Sequence, residues 1–258
     1  MKKILRSILG NRMYTFLQRT WRLLIIPKLV NTSYQLRLLT RIFRPSLEEI
    51  GIHHGTDKAN EAHSFAGKSF LSIYEKYLKR FRKRKTNFLE IGVFGGASLR
   101  TWRDYSTRWQ IFGVDINPEA KKHETGRIGI EIGSQTDKKF LLTNFGSSTK
   151  FDVIVDDGSH VNSFTLFSFQ VLFEKRLRAG GLYIIEDLDC SYYSLENVLQ
   201  SWPGMSLNDL REDYVNKRGD MNSFFNELVK ELDHERGLVE YIHFWSKTVI
   251  IKKVDYLE

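Results

Sequence analysis

A glycine-rich turn that follows a short apolar strand is the feature that most constrains this chain. Phe88-Leu-Glu-Ile91 has the composition of a buried strand, and the chain then turns through Gly92, Gly95 and Gly96. The residues that follow are typical of the start of a helix, with Ser98 as its predicted cap. Glycines at such a turn let the backbone approach a ligand closely, and a helix start presents N–H groups to it. The turn therefore predicts a ligand site at a strand-to-helix connection.

The residue types around this turn limit the ligand. The spacing G-x-x-G-G differs from the G-x-G-x-x-G of dinucleotide-binding folds, which disfavours a nicotinamide cofactor. Glu90 lies at the strand end, where it would repel a phosphate but suit a cofactor with a cationic or hydroxyl-rich part. Asp115 ends the next predicted strand, 19 residues after Gly96. Doubly wound folds place a carboxylate at that position onto ribose hydroxyls.

Strand and helix patterns alternate along the body of the chain, which favours a parallel sheet covered by helices on both faces. The predicted fold is α/β, a doubly wound, mostly parallel seven-stranded sheet with a C-terminal antiparallel hairpin. The predicted strands are residues 88–91, 109–115, 128–132, 151–155 and 181–185, the predicted helices span about 69–81 and 163–178, and the hairpin comprises 239–245 and 248–252.

The N-terminal 45 residues differ in charge from the rest. They contain ten Lys and Arg and no acidic residue, with apolar residues at helical spacing between them. This pattern predicts a basic amphipathic helical arm (1–45), which lies in a membrane interface or packs on its own domain or on a second subunit of a homo-oligomer. The main domain (46–258) has 29 basic and 31 acidic side chains, so we expect no nucleic-acid partner for it.

The expected location is the cytoplasm, with the arm as a peripheral contact on the inner face of the membrane. A single cysteine, Cys190, excludes an intrachain disulfide and fits a reducing compartment. No secretory signal is predicted, and the longest apolar run, Leu23–Ile26, is far shorter than the ~20 residues of a membrane span.

Acidic side chains follow two neighbouring predicted strands. Asp157 comes directly after the fourth strand, and Glu186 and Asp187 follow the fifth. Because parallel strands end at the same edge of a sheet, these three carboxylates are expected to converge and to need a cation. All-oxygen ligands favour Mg²⁺ or Ca²⁺ over zinc. His160 would lean over the same pocket as a general base.

Six motifs in order make the chain similar to a known family. Residues 51–255 resemble the metal-dependent sugar O-methyltransferases of the class I S-adenosylmethionine superfamily, in particular the macrolide and rhamnosyl O-methyltransferases and their cephalosporin-hydroxylase-like relatives. The matching motifs are Gly55-Thr-Asp-Lys58, Phe88-Leu-Glu-Ile-Gly-Val-Phe-Gly-Gly-Ala-Ser98, Gly113-Val-Asp-Ile-Asn117, Gly133-Ser-Gln-Thr-Asp137, Asp156-Asp-Gly-Ser-His160 and Ile184-Ile-Glu-Asp-Leu188.

The resemblance implies a role for each matching position. The methionine part of the cofactor would be held by Glu90, Gly92 and the loop at Gly95, the ribose by Asp115, and the adenine would lie by Ser134 and Gln135. Asp156 would sit near the sulfonium, and Thr56 and Lys58 would close the site from the N-terminal side. His63 replaces the histidine of a His-x-Tyr pattern that the family carries nearby. Mg²⁺ would be bound by Asp157, Glu186 and Asp187, with His160 as the catalytic base.

The implied activity is transfer of a methyl group from S-adenosyl-L-methionine to a sugar hydroxyl of a glycan, glycolipid or glycosylated metabolite, as in polysaccharide biosynthesis. Two alternatives stay open. A nucleotide-sugar-dependent glycosyltransferase would use Asp187-Leu-Asp189 as a D-x-D metal site. A non-enzymatic membrane or partner-binding module explains residues 1–45 and nothing beyond them.

Overall fold

The computed structural model describes residues 44–59, 64–193 and 216–255. Within these ranges the chain forms a short antiparallel hairpin, β1 with β2, and one seven-stranded sheet in the order β5-β4-β3-β6-β7-β9-β8. The strands are β1 (Ser64–Phe65), β2 (Lys68–Ser69), β3 (Thr86–Ile91), β4 (Trp109–Asp115), β5 (Ile128–Ile132), β6 (Phe151–Asp156), β7 (Leu177–Ile185), β8 (Val239–Trp245) and β9 (Thr248–Lys253).

Helices connect and cover these strands. The α-helices are α1 (Leu47–His54), α2 (Phe70–Leu78), α3 (Ala97–Tyr105), α4 (Lys138–Thr143), α5 (Asn162–Lys175) and α6 (Arg218–Asp233). Short 3-10 helices occupy Asp57–Ala59, Pro118–His123 and Leu188–Tyr192. The first of them carries Lys58 into the interior, and the last forms the loop after β7.

The sheet has the topology that the sequence predicts. Strands β3 to β7 are parallel, β9 pairs antiparallel with β7, and β8 pairs antiparallel with β9. In register, Ile91 lies opposite Asp156, and Asp156 lies opposite Ile185. The ends of β3, β6 and β7 are therefore level, and the loops that follow them leave from one edge of the sheet.

Side chains of the central strands are buried on both faces, so these strands appear in the sequence as continuous apolar runs. One face of the sheet buries Phe88, Val153, Val155, Leu182 and Ile184. The other face buries Leu89, Ile91, Ile154, Tyr183 and Ile185. Trp102 of α3 and Trp109 of β4 stack on Phe88, with ring centroids 4.9 and 5.4 Å away. This packing fixes α3 against the sheet directly after the glycine turn.

Three local expectations were wrong. Helix α5 ends at Lys175, before the predicted 178, because Leu177 already pairs with Phe151 and the residues after it bulge out of register. Helix α2 ends at Leu78, not near 81. Ser98 does not cap α3: the helix is capped by Gly96 at φ 67°, and Ser98 lies inside the helix.

The predicted N-terminal arm lies outside the described residues except for positions 44 and 45. In the part of the chain that the structure covers, no helix combines the length and the apolar character that a transmembrane span requires.

Candidate active site

The glycine turn after β3 is held against the neighbouring strands by backbone contacts. Gly92 donates its N–H to the carbonyl of Val114 at 2.8 Å, and its φ is 89°. A side chain at Gly92 would overlap the backbone carbonyl of Asp157, so only glycine allows the loops after β3 and β6 to approach this closely. A side chain at Gly95 would meet no atom of the described chain within 4 Å, which leaves room beside the turn.

Asp115 fixes the same turn. Its Oδ2 accepts the backbone N–H groups of Val93 at 2.8 Å and Phe94 at 3.0 Å, and its Oδ1 accepts that of Asn117 at 2.8 Å. Phe94 is 97% exposed, with a left-handed φ of 46°. Asp115, the residue predicted to bind the ribose, therefore lies beside the turn, and both of its carboxylate oxygens accept hydrogen bonds from the backbone.

Glu90 is fully buried at the end of β3. Its Oε2 accepts hydrogen bonds from Ser98 Oγ at 2.7 Å and from Trp102 Nε1 at 3.0 Å. Its Oε1 has no hydrogen-bond partner in the described chain and lies 3.6 Å from the ammonium of Lys58. Burial raises the pKa of Glu90 to about 7, although the charge of Lys58 acts in the opposite direction. A buried carboxyl oxygen at this position can accept a ligand's N–H.

Lys58 lies deeper in the site than the sequence suggests. Thr56 and Lys58 are both buried, and Lys58 is 2% exposed. Its Nζ donates to Asp157 Oδ2 and, at 2.6 Å, to Glu186 Oε2. Burial alone would lower the pKa of Lys58, but Asp157, Glu186 and Glu90 raise it well above its usual value. Lys58 is thus a permanent cation among three acidic side chains.

Asp157, His160 and Asp187 form a cluster that can hold a metal ion: one ligand atom from each lies within 4.8 Å of the others. His160 Nε2 is 3.7 Å from Asp157 Oδ1 and 3.8 Å from Asp187 Oδ2. The loops after β6 and β7 bring these groups together because the two strands end level. The expected convergence of the two acidic motifs is therefore present in the structure.

Two members of this cluster have a left-handed backbone, with φ 55° at His160 and 49° at Asp187. Non-glycine residues in this region are uncommon and cluster at functional sites. Asn216, just before α6, supports the arrangement: its Nδ2 donates to the carbonyls of His160 at 2.8 Å and Cys190 at 3.0 Å. The same side chain accepts the N–H of Asn162 at 2.8 Å.

Glu186, the third predicted metal ligand, is buried, and its two carboxylate oxygens have different surroundings. Its Oε2 contacts Lys58, whereas its Oε1 is buried without a hydrogen-bond partner among the described residues. Burial raises the pKa of Glu186 well above its usual value, and the nearby charges of Asp157 and Asp187 raise it further. A cation beside Oε1 would offset the free-energy cost of burying this oxygen without a hydrogen bond.

This donor set fits a divalent cation with oxygen ligands. Lys58 contributes a single positive charge to a site with four carboxyl groups, those of Glu90, Asp157, Glu186 and Asp187. Carboxylate oxygens are the ligands that Mg²⁺ prefers, and thiolates are absent from the cluster. Asp157 and Asp187 can therefore supply oxygen ligands to Mg²⁺ beside His160, whereas Glu186, the third predicted ligand, is not one of the three residues whose ligand atoms lie within 4.8 Å of one another.

The remaining predicted cofactor residues have structural contacts of their own. Asp156 is buried, accepts hydrogen bonds from Ser168 and, at 3.0 Å, from Tyr183, and has a pKa that burial raises to about 6. Gln135 is also buried, and its Oε1 accepts the N–H of Ser159 at 2.9 Å. Ser134 hydrogen-bonds Thr136 at 2.8 Å. His63 lies outside the described residues.

Asp189, the second acid of the alternative D-x-D motif, lies apart from the cluster. Its Oδ2 is 3.0 Å from Lys247 Nζ and accepts the hydroxyl of Tyr193 at 3.2 Å. Asp187 instead lies with Asp157 and His160. The geometry therefore pairs Asp187 with the loop after β6, which disfavours a D-x-D metal site.

Sequence reasoning missed one residue of the site, Asn216, and the role of another, Lys58. Lys58 carried a signal, since it ends a matching motif, but its contact with the acidic cluster was not foreseen. Asn216 carried none: it follows a polar stretch, and its partners lie 56 and 26 residues earlier in the chain.

Comparison with known proteins identifies the relatives of this chain. No family model matches it. It is 30% identical over 221 residues to L-olivosyl-oleandolide 3-O-methyltransferase of Streptomyces antibioticus, which covers 83% of this chain and 50% of that protein. It is 35% identical over 169 residues to demethylmacrocin O-methyltransferase of Streptomyces fradiae, which covers 62% of this chain and 38% of that protein. The chain thus spans half or less of the length of these relatives.

A solved structure agrees with the sequence relatives. The methyltransferase MycE of the mycinamycin biosynthetic pathway, in complex with Mg and SAH, is similar with a TM-score of 0.61 and 29% identity. The match covers 81% of this chain and 55% of MycE. The described body therefore has the fold of the class I S-adenosyl-L-methionine-dependent methyltransferases. More narrowly, the chain is a homologue of sugar O-methyltransferases from macrolide and tetracenomycin pathways, and the resemblance predicted from its motifs is confirmed.

Proposed function

We propose that this protein is an O-methyltransferase that uses S-adenosyl-L-methionine and Mg²⁺ to methylate a sugar hydroxyl. The observation that carries the proposal is the convergence of Asp157, His160 and Asp187 at the sheet edge that also bears the glycine turn. Relatives named as sugar O-methyltransferases, and a structural neighbour solved with Mg and SAH, support the same activity.

The proposed cofactor site follows the glycine turn from Glu90 to Asp115. The N–H groups and the open space at Gly95 suit the methionine part, and the buried Oε1 of Glu90 suits its ammonium group. Asp115 is proposed for the ribose, and Ser134 and Gln135 for the adenine. Asp156 is proposed to lie near the sulfonium, and Thr56, Lys58 and His63 to complete the site.

His160 is the proposed base of the reaction. When bound, S-adenosyl-L-methionine supplies an activated methyl group, and Mg²⁺ lowers the pKa of a coordinated alcohol. His160 would take the proton from the acceptor hydroxyl as the hydroxyl oxygen attacks the methyl carbon, whose bond to the sulfur breaks to release S-adenosylhomocysteine. Asp157 Oδ1 and Asp187 Oδ2 lie 3.7 and 3.8 Å from His160 Nε2 and would stabilise the imidazolium that results. Their strained loops hold these groups in place before the acceptor binds.

The acceptor is proposed to be a carbohydrate, either a polymer, a glycolipid or a glycosylated small molecule. Trp245 ends β8 at the edge where the parallel strands end, and Lys76 lies 4.4 Å from its ring centroid. Tyr77 accepts a hydrogen bond from Trp245 Nε1 at 2.9 Å and contacts His243 at 3.0 Å. With the exposed Tyr192 of the loop after β7, these rings offer surfaces on which a sugar can stack.

A ligand-induced thermal shift tests the proposed function. S-adenosylhomocysteine with Mg²⁺ at about 100 times its Kd should stabilise the protein by roughly 2.7 kcal/mol, and hence raise its Tm by roughly 5–10 °C. UDP-sugars with Mg²⁺ at the same concentrations serve as the control and should not raise Tm above its value with Mg²⁺ alone. The reverse pattern would favour a glycosyltransferase and refute the proposal.

Glu90→Gln tests the cofactor site. Because the amide keeps the shape of the side chain but loses its charge, we expect S-adenosylhomocysteine affinity to fall roughly tenfold or more, as when a hydrogen bond to a charged group is lost. Isothermal titration calorimetry measures this change. The control is Ser98→Ala, which removes a hydrogen bond to Glu90 Oε2 and keeps the carboxyl group. If both variants bind the ligand like the wild type, Glu90 does not contact the cofactor.

A further inference from the structure

The Lys58 side chain contacts acidic side chains from a buried position. Lys58 belongs to the 3-10 helix Asp57–Ala59, which packs against α1 and α2. A side chain at Gly51 of α1 would overlap Leu71 of α2 and press on Ala59. The Lys58 side chain is buried over its whole length. A lysine held in this way cannot move into solvent without disturbing the packing of α1.

The ammonium of Lys58 contacts one oxygen of each of two carboxylates and leaves the other oxygen of each to different surroundings. It binds Oδ2 of Asp157 and Oε2 of Glu186. The other oxygen of Asp157, Oδ1, faces His160 at 3.7 Å. The other oxygen of Glu186, Oε1, is buried and has no hydrogen-bond partner in the described chain. Each carboxylate is therefore fixed through one oxygen and retains the second.

We propose that Lys58 is a positioning residue for the metal site: its ammonium holds one oxygen each of Asp157 and Glu186 and keeps the second oxygen of each available to a divalent cation. This inference rests on the proposed function, because it assumes a bound metal ion. It assigns to Lys58 a task other than the cofactor contact that the sequence suggested.

The opposing possibility is that Lys58 competes with the metal ion. A lysine ammonium often occupies a cation's place between carboxylates, and a divalent ion would then displace it. The two models predict opposite effects of removing the charge. Loss of a positioning residue weakens metal binding, typically by about 10–100-fold for groups that orient metal ligands, whereas loss of a competitor strengthens it.

Mn²⁺ binding measured by electron paramagnetic resonance separates the two models without any assay of methyl transfer. Lys58→Met should bind Mn²⁺ at least about tenfold more weakly than the wild type. The matched control is Lys247→Met, which removes a lysine that pairs with Asp189 and whose side chain is 40% exposed. Lys247→Met should bind Mn²⁺ within about threefold of the wild type, as expected for a screened surface charge.

Each outcome decides between the models. Equal or tighter Mn²⁺ binding by a folded Lys58→Met variant overturns the role of Lys58. Failure of the wild type itself to bind Mn²⁺ removes the metal ion from the proposed function and the Lys58 role with it. If Lys58→Met does not fold, as judged by circular dichroism, a crystal structure of the wild type with Mn²⁺ decides: Lys58 Nζ should remain hydrogen-bonded to Asp157 and Glu186, and its displacement refutes the proposal.

Discussion

Asp187→Asn is expected to reduce methyl transfer on the order of 10³-fold, because it weakens the proposed metal site, which would supply several kcal/mol of transition-state stabilisation. Asparagine tolerates the left-handed backbone of this position, so the fold should be preserved. The measurement is transfer of a radiolabelled methyl group to a panel of glycans. EDTA should abolish the activity of the wild type, and added Mg²⁺ should restore it.

The same loop offers a control for this prediction. Asp189 lies two positions further on, pairs with Lys247 and Tyr193, and is not part of the Asp157–His160–Asp187 cluster. Asp189→Asn should therefore keep most of the activity. An equal loss of activity in both variants would favour a D-x-D metal site. Full activity of Asp187→Asn would exclude Asp187 as a metal ligand.

His160→Asn should lower turnover by roughly 10²–10⁴-fold, the usual contribution of a positioned general base. Asparagine again fits the left-handed backbone but cannot accept the proton. Binding of S-adenosylhomocysteine and of Mn²⁺ should stay within about threefold of the wild type, since a base is needed only as the proton leaves. Single-turnover kinetics with saturating cofactor measures the chemical step directly.

Another histidine–aspartate pair provides the matched control. His54 Nε2 lies 2.8 Å from Asp104 and joins α1 to the end of α3, away from the acidic cluster. His54→Asn should leave turnover unchanged. If His160→Asn loses affinity for Mn²⁺ in parallel with turnover, His160 acts as a metal ligand; if it loses affinity for S-adenosylhomocysteine, its place beside the acceptor is wrong.

The fold could be predicted from the sequence because its determinants are local. Strands such as Phe151–Asp156 are buried on both faces and appear as uninterrupted apolar runs, and the helical patterns between them imply parallel pairing. The bulge after Leu177 was missed, since it depends on how β7 pairs with β6 and not on its own residues. Ser98 was misassigned for a similar reason: its partner, Glu90, precedes the turn.

The convergence of the acidic loops followed from topology alone. Neighbouring parallel strands end at one edge, so Asp157 and Asp187 had to meet once β6 and β7 were paired. The partners of individual oxygens could not be foreseen in this way. Lys58 is 99 residues from Asp157 and 128 from Glu186, and the docking of its 3-10 helix onto α1 and α2 brings them into contact.

The left-handed backbone at His160 and Asp187 also restricts which substitutions these two positions tolerate during evolution. Valine, isoleucine and threonine are strongly disfavoured in this conformation, whereas asparagine, aspartate, histidine and glycine are tolerated. Asparagine codons are a single-base change from those of both histidine and aspartate. Homologues that have lost activity would therefore most readily carry asparagine at these positions. A polar residue retained there would indicate that the loop keeps its backbone conformation, and would not by itself indicate catalysis.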